Sequence, residues 1–343
     1  MLFRSYRIAR HLGFVLAWQH EDSAPTYPSR HRDAVQRPFA GFACLGHGPG
    51  LPAFVGFENQ ILRALDETGL DLACSHTVNR ITERFVALRR ARQKGLVVYL
   101  GAGDPDLDAT RRLALAFAEA GVDVLELGVP FSDPLADGPV NQLAAQRGLA
   151  SGTTPGGVLA TVHAIRDVSP IPIVLYLYFN LVHRYGSADF IRDAAAAGVD
   201  GLLALDLPPE EEGDYGAQMS STGLCAIRLI APTTPDDRMV AIVRHASGFV
   251  YCISREGVTG MQERTSAHIP KLVRRIRRFT DLPVAVGFGI SNADQVRAVA
   301  PHADAVVVGS AVVDLVAKFG REPEMVARVT SFVRLLVEGV RGV

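Results

Sequence analysis

Short apolar runs alternate with helix-forming segments along most of the chain, from residue 96 to the C-terminus. In order, the runs are LVVYL, VDVLELG, IPIVLYLY, GLLALDLP, LCAIRLI, GFVYCIS, LPVAVGFG and ADAVVVGS. Runs that are apolar throughout, rather than at every second position, are typical of parallel strands covered by helices. Eight strands and eight helices in about 260 residues predict an α/β fold, a (β/α)8 TIM barrel, over residues 78–343. A doubly wound open sheet is disfavoured, because no GxGxxG motif follows the first strand.

Residues 1–77 have a different composition from the predicted barrel. They contain no lysine, half of the ten histidines and the only tryptophan. The stretch 25–56 is rich in proline and glycine and has no sustained periodicity, which predicts loop or disorder. Arginines at positions 4, 7 and 10 loosely resemble a targeting helix, which would allow organellar import. We favour upstream sequence translated from a misplaced start, with the barrel beginning near Val78.

Composition and charge exclude several classes of function. A net charge of -1 gives no reason to expect a nucleic acid or an anionic membrane as partner. The four cysteines form no CxxC motif and no metal-binding group with histidine, which fits a reduced, cytoplasmic protein without a metal site. No apolar run approaches the roughly 18 residues of a membrane span.

Glu126 lies within the second apolar run, between Leu125 and Leu127. Active sites of TIM barrels lie at the carboxyl ends of the strands, and Glu126 is close to the end of its strand. Burial among aliphatic side chains would raise its pKa and make it a proton donor near neutral pH. The alternative is a partly exposed glutamate that pairs with an arginine.

Asp133 and Asp137 lie in the proline-rich loop PFSDPLADGP, which follows the same strand. A carboxylate on a polar loop and another on an apolar strand would suit an acid/base pair, so Asp137 and Glu126 are candidates. Two plainer interpretations remain open. Asp137 precedes Gly-Pro and would cap the next helix, and Asp133 precedes Pro134 and would form a turn.

Glycine turns follow each of the last three predicted strands. They are GVTG at 257–260, GFGIS at 287–291 and GSA at 309–311. Glycine lets backbone N–H groups approach an anion closely, and barrels commonly bind phosphate after strands seven and eight. The three turns predict a phosphorylated ligand, to which Ser310 would add a hydroxyl. The alternative is that the glycines serve only tight turns.

Several long motifs together resemble the tryptophan synthase alpha subunit family. They are YLGAGDPD, ELGVPFSDPLADGPVNQ, YFNLV, DLPPEE, SREGVTG, VAVGFGIS and VVGSA. The resemblance covers about residues 79–319 and every predicted strand, whereas residues 1–77 have no counterpart in it. It implies a lyase of L-tryptophan biosynthesis that cleaves indole-3-glycerol phosphate to indole and glyceraldehyde 3-phosphate.

The resemblance also implies a role for each matched residue. Glu126 protonates C3 of the indole ring and assists deprotonation of the glycerol hydroxyl. Asp137 accepts a hydrogen bond from the indole N–H and stabilises the positive charge that develops there. Tyr251 corresponds to the family's tyrosine near the catalytic glutamate. Gly260, Gly289, Gly309 and Ser310 correspond to the family's phosphate-binding residues. The indole pocket corresponds to Tyr99, Thr259 and Phe288.

The family works with a pyridoxal-phosphate-dependent beta subunit in an alpha2beta2 complex, so the resemblance implies that the alpha chain has no cofactor of its own. Asp133, Pro134 and Asn180 lie where the family meets that partner, and GVTG belongs to a lid. There are two departures: Gly101 stands where many members carry threonine, and Glu256 adds a charge beside the lid. Three alternatives stay open: a stand-alone lyase, a non-catalytic activator of a beta subunit, and another phosphate-binding isomerase.

Overall fold

A computed structural model describes residues 79–253, 268–287 and 289–343. The interpretation of residues 1–77 lies outside the described residues. So do the predictions for Glu256, Thr259, Gly260 and Phe288. No helix in the described ranges has the length and apolar character needed to cross a membrane.

Nine strands and twelve α-helices alternate through the described residues. The strands are β1 (Gly95–Gly101), β2 (Val124–Gly128), β3 (Ile173–Leu177), β4 (Gly201–Ala204), β5 (Cys225–Ala226), β6 (Arg228–Ile230), β7 (Val250–Ile253), β8 (Val284–Gly287) and β9 (Ala305–Val308). The first six helices are α1 (Arg80–Arg90), α2 (Leu107–Ala120), α3 (Pro139–Ala150), α4 (Pro155–Arg166), α5 (Phe179–Tyr185) and α6 (Ser187–Ala197). The others are α7 (Tyr215–Thr222), α8 (Asp236–Arg244), α9 (Ile269–Ile276), α10 (Ala293–Val299), α11 (Ser310–Phe319) and α12 (Met325–Arg341).

All the strand pairs are parallel, in the order β5-β4-β3-β2-β1-β9-β8-β7-β6. The predicted strand LCAIRLI is divided at Ile227. Its first half, β5, pairs with β4, and its second half, β6, pairs with β7. One continuous stretch of chain therefore joins the two ends of the sheet and closes the barrel. The predicted TIM barrel is confirmed, with the fifth of its eight strands divided in two.

Two apolar cores lie on opposite sides of the strands. The inner core fills the lower part of the barrel with Val97, Val124, Val174, Leu203, Ile227, Phe249, Ala285 and Val307. Ile81, Phe85 and Leu88 of α1 pack against it, so this helix closes the bottom of the barrel. The outer core lies between the strands and the surrounding helices. Because side chains alternate along a strand, the residues two positions beyond the inner core point into the barrel mouth.

Three aspartates tie neighbouring strands together at the bottom of the barrel. Asp123, Asp200 and Asp304 each directly precede a strand. The carboxylate of each accepts a hydrogen bond from a backbone N–H in or just before the adjacent strand, at 2.6 to 2.8 Å. Arginines neutralise all three: Arg84 and Arg341 bind Asp123, Arg80 and Arg166 bind Asp200, and Arg277 binds Asp304.

The helix count exceeds the prediction, and α3 shows why. The segment PVNQLAAQRGLA buries only Ala144 and Gly148, so it has no apolar stripe from which a helix could be predicted. The short helix α5 was also missed, and the predicted closing helix is two helices, α11 and α12. Where an apolar stripe is present the boundaries agree closely: the helix predicted over 106–121 is α2, Leu107–Ala120.

Candidate active site

Glu126 points into the barrel from β2, two residues beyond Val124 of the inner core. Its Cα neighbours across the sheet are Tyr99 on β1 and Val174 on β3. Its side chain is 1% exposed, and Oε1 has no hydrogen-bond partner within the described part of the chain. Burial, and next the charge of Asp137, raise the pKa of Glu126 to about 8. The alternative of an exposed glutamate paired with an arginine is therefore wrong, and the carboxyl group holds its proton at neutral pH.

Asp137 lies at the inner side of the loop after β2 and is held by three side chains. Tyr176 donates a hydrogen bond to Oδ1 at 2.8 Å, and Tyr178 donates one to Oδ2 at 2.9 Å. Asn141 contributes a longer contact to Oδ1, at 3.5 Å. Burial raises the pKa of Asp137, and these three hydrogen bonds oppose that rise. The helix-capping interpretation is wrong, because Gly138 is the N-cap of α3 and no side chain caps that helix.

Tyr99 and Tyr251 line the mouth beside Glu126. Tyr99 packs edge-on against Tyr176, with ring centroids 5.1 Å apart. The hydroxyl of Tyr99 lies over Gly128, where an added Cβ would be only 2.1 Å away. Burial, and then the charge of Glu126, raise the pKa of Tyr251, so this phenol stays protonated near the glutamate. These aromatic rings form an apolar wall on which a flat ring can pack.

The predicted phosphate site is only partly within the described residues. Ser310 is the first residue of α11 and Gly309 its N-cap, so the N-terminus of this helix lies just beyond the carboxyl end of β9, where helix starts commonly bind anions. Gly289 follows β8 with a φ of 78°, a left-handed conformation that favours glycine. Gly260, the fourth predicted phosphate residue, lies outside the described residues.

Of the predicted partner residues, Asp133 and Pro134 lie in the loop that carries Asp137, and Asn180 lies in α5. Asp133 and Asn180 are exposed, and Pro134 is half-buried. Leu135, which follows Pro134 in the same loop, is 91% exposed, which is unusual for a large apolar side chain. A backbone hydrogen bond from Leu135 N–H to the Asp133 carbonyl, at 2.8 Å, forms a tight turn there. The turn-forming interpretation of Asp133 is thus compatible with its place on this surface.

Comparison with known proteins identifies the family. A sequence profile described as "Tryptophan synthase alpha chain" matches residues 85–340. A protein of that name from Opitutus terrae is 49% identical over 265 residues, which are 77% of this chain and all of the relative. This chain belongs to the tryptophan synthase alpha chain family. The resemblance drawn from the motifs is confirmed.

Solved structures agree with this assignment to the tryptophan synthase alpha chain family. The tryptophan synthase subunit alpha of Legionella pneumophila superposes with a TM-score of 0.71 at 33% identity, covering 78% of this chain and 100% of that one. A chain of tryptophan synthase from M. tuberculosis superposes with a TM-score of 0.68 at 34% identity, covering 77% and 99%. The barrel is thus the part of the chain that the family shares.

Four residues of this alpha-chain site were not predicted from the sequence: Tyr176, Tyr178, Asn141 and Leu135. The two tyrosines end the run IPIVLYLY at positions i and i+2, a spacing that puts both on one side of a strand. That spacing was the available signal, and it points to polar groups at the barrel mouth. Asn141 lies in the helix that was missed. Leu135 carried no signal beyond its apolar character in a polar loop.

Gly101, one of the two departures noted in the sequence, borders a small cavity beside Asp137. Tyr99, Asn141 and Tyr176 also line this cavity. A Cβ at position 101 would lie 3.3 Å from the Cβ of Ala144, which is a tight contact.

In the described residues, no three histidine, cysteine or acidic side chains come together as metal ligands.

Proposed function

We propose that this barrel cleaves indole-3-glycerol phosphate, the reaction of its family, with Glu126 as the acid and base and Asp137 as the counter-charge. The observation that carries the proposal is the pairing of two unlike carboxyl groups at one mouth. Glu126 is buried, with a pKa of about 8, whereas Asp137 accepts hydrogen bonds on both oxygens. Two carboxyl groups in such different environments suit proton donation by one and charge stabilisation by the other.

The protonated carboxyl of Glu126 transfers its proton to C3 of the indole ring, forming the C3–H bond. The ring nitrogen becomes positively charged, and Asp137 stabilises that charge through the ring N–H. The Glu126 carboxylate then removes the proton from the glycerol hydroxyl. The bond between C3 and the glycerol carbon breaks, its electron pair returns to the ring, and indole and glyceraldehyde 3-phosphate are released. Glu126 ends the cycle protonated, so the step needs no other proton donor.

The indole ring and the phosphate of the substrate would bind on two different sides of the barrel mouth. The rings of Tyr99 and Tyr251 offer apolar surface to the indole, and the start of α11 with Gly289 offers backbone N–H groups to the phosphate. The proposal also includes Gly260, Thr259 and Phe288, on the strength of the motif match alone. Phosphate binding remote from the reacting bond would fix the ring against Glu126.

Membership of the alpha chain family implies a beta-subunit partner. We expect the surface of Asp133, Pro134, Leu135 and Asn180 to contact it, in an alpha2beta2 complex located in the cytoplasm. Pyridoxal phosphate would belong to that partner. These finer statements rest on the family and on the exposure of Leu135.

The test is an indole-release assay on the purified full chain, with and without a beta subunit. We expect release from the wild type, and a loss of about 10² to 10⁴-fold in Glu126→Gln and in Asp137→Asn. Asp193→Asn, on the exposed surface of α6, is the matched control and keeps full activity. Near-normal turnover in either of the first two variants would refute the assigned roles. Absence of release in the wild type, alone and with the partner, would favour a non-catalytic activator.

A further inference from the structure

Tyr176 has a position that the proposed reaction does not use. It lies in β3 and points into the mouth, and its hydroxyl makes one hydrogen bond, to Oδ1 of Asp137 at 2.8 Å. Tyr178 is two residues further on and makes two: it donates to Oδ2 of Asp137 and accepts from the Ala136 N–H, both at 2.9 Å. Tyr178 thus anchors the loop backbone as well as the carboxylate. The hydroxyl of Tyr176 bonds to the carboxylate and not to the loop backbone.

The two tyrosines hold Asp137 by both of its oxygens. A carboxylate bound on one oxygen can rotate about its last side-chain bond, whereas one bound on both has a defined plane. Oδ1 also accepts the longer contact from Asn141, whereas Tyr178 is the only side-chain donor to Oδ2 within the described residues, so Oδ2 keeps a lone-pair direction for a ligand. The ring nitrogen of a bound substrate would therefore meet a carboxylate that is already oriented.

The groups around Asp137 give the tyrosines an electrostatic role too. The ionisable groups that face it are Tyr99 from β1, Glu126 from β2, and Tyr176 and Tyr178 from the end of β3. All of these are acids, and no basic side chain of the described residues is among the groups that shift Asp137. Neutral donors, first the hydroxyls of Tyr176 and Tyr178 and then the amide of Asn141, are what favour its charged form against burial. Burial and the charge of Asp137 raise the pKa of Tyr176, so its hydroxyl keeps the proton it donates.

We propose that Tyr176 is a positioning residue for the reaction, holding the Asp137 carboxylate ionised and oriented toward the substrate's ring nitrogen. The effect of Tyr176 on the reaction rests on the proposed function. Its effect on the protonation of Asp137 does not. Tyr176 does not react with substrate. It acts through Asp137, and its effect is separable from that of Tyr178 because it does not hold the loop.

The test is Tyr176→Phe, which removes the hydroxyl and keeps the ring packed against Tyr99. Without this donor Asp137 becomes protonated at higher pH. The acidic limb of the kcat/KM profile then moves up by about one pH unit, which is a tenfold loss on that limb. The basic limb, set by Glu126, stays in place, because Asp137 is still ionised there. A role in packing alone would lower activity equally at every pH and leave both limbs where they are.

Tyr185→Phe is the matched control. Its hydroxyl donates to Oδ2 of Asp193 at 2.9 Å, a tyrosine–aspartate bond of the same kind on the exposed surface. We expect both limbs to stay unchanged in this variant. Tyr176→Leu, which also lacks a donor, is expected to move the acidic limb in the same direction as Tyr176→Phe. An unmoved acidic limb in both Tyr176 variants would overturn the inference.

A second readout does not depend on activity. Carboxyl ¹³C NMR titration, with Asp137 assigned by comparison with Asp137→Asn, reports the protonation of this residue directly. We expect its titration to move to higher pH in Tyr176→Phe and to stay in place in Tyr185→Phe. If the wild type released no indole, the proposed function would fail while this titration still decided the role of Tyr176. If the wild type releases indole but the titration of Asp137 is unchanged in Tyr176→Phe, the role of Tyr176 is refuted and the proposed function is not.

Discussion

Glu126 in β2 and Asp137 in the loop after that strand are carboxyl groups close enough for the charge of Asp137 to act on Glu126. Burial, followed by the negative charge of Asp137, raises the pKa of Glu126 from an ordinary 4.5 to about 8. In the proposed reaction, Glu126 must be protonated to donate to carbon, and Asp137 must be ionised to stabilise a cation. The raised pKa of Glu126 therefore predicts an upper pH limit for the reaction. We expect kcat to fall above about pH 8, as measured by indole release.

The raised pKa of Glu126 also makes the free energy of unfolding depend on pH. Between pH 4.5 and about 8 the folded protein holds a proton on Glu126 that the unfolded chain has released. Rising pH therefore favours unfolding, by up to about 1.4 kcal/mol per pH unit. Glu126→Gln cannot titrate, so we expect its free energy of unfolding, relative to wild type, to rise from about pH 5 to about pH 8. Urea denaturation measures this, with exposed Glu119→Gln as the control; a difference that is flat with pH would contradict the buried, protonated state.

Gly128→Ala tests the packing of the aromatic wall. The new Cβ would lie 2.1 Å from the hydroxyl of Tyr99, so the ring must move. We expect a loss of about 1 to 3 kcal/mol in the free energy of unfolding and a clear rise in KM. Gly156→Ala is the matched control, since nothing lies within 4 Å of an added Cβ there. Denaturation and indole release compare the two; equal stability of the variants would show that Tyr99 is loosely held.

Asp123→Ala tests the ties at the bottom of the barrel. Asp123 is 1% exposed, accepts a bond from the Leu96 N–H and binds Arg84 and Arg341. Removing it leaves these donors without their charge partner, and we expect a loss of about 3 to 5 kcal/mol. Asp294→Ala, which breaks an exposed ion pair with Arg297, should change stability by less than about 1 kcal/mol. The kcat of the folded fraction should be unchanged in both variants.

Leu135→Glu tests the partner surface. The side chain is 91% exposed, so a charge there leaves the fold intact but disfavours an apolar contact. We expect binding to a beta subunit to weaken by tenfold or more, an effect of about 1.4 kcal/mol, in a titration followed by calorimetry. Val168→Glu, exposed in the turn before β3, is the control and should bind normally. Normal binding by Leu135→Glu would place the interface elsewhere.

A chain that begins at residue 78 should keep its activity. The residues assigned to the reaction all lie from Tyr99 onward, and the Opitutus relative is covered completely by 77% of this chain. We expect kcat and KM for indole release to match those of the full chain. A truncated protein that is inactive or insoluble would show that residues 1–77 contribute to the barrel.

The barrel was predictable because its strands are apolar throughout and its amphipathic helices carry clear stripes. The burial of Glu126 was predictable as well, since this residue stands between Leu125 and Leu127 in an apolar run. What failed were features that depend on contacts between elements. The division of LCAIRLI at Ile227 follows from barrel closure, which no local pattern encodes.

The environment of Asp137 shows the same limit. From the sequence, Asp-Gly-Pro suggested a helix cap with as much reason as a catalytic group. The hydroxyls of Tyr176 and Tyr178, about forty positions further along the chain, bind both oxygens of Asp137 and turn it toward the barrel mouth instead of the helix start. Such a contact joins distant residues, and only the closed sheet brings them together.

The aspartate ties have one more consequence. They hold the strands together at the end of the barrel remote from Glu126, so the bonds that fix the strand register lie apart from the proposed reaction site. Side chains at the mouth can then be substituted to bind new ligands, because the three aspartates at the bottom keep the strands in register. A designer who wished to retool this enzyme would leave the three aspartates and their arginines untouched.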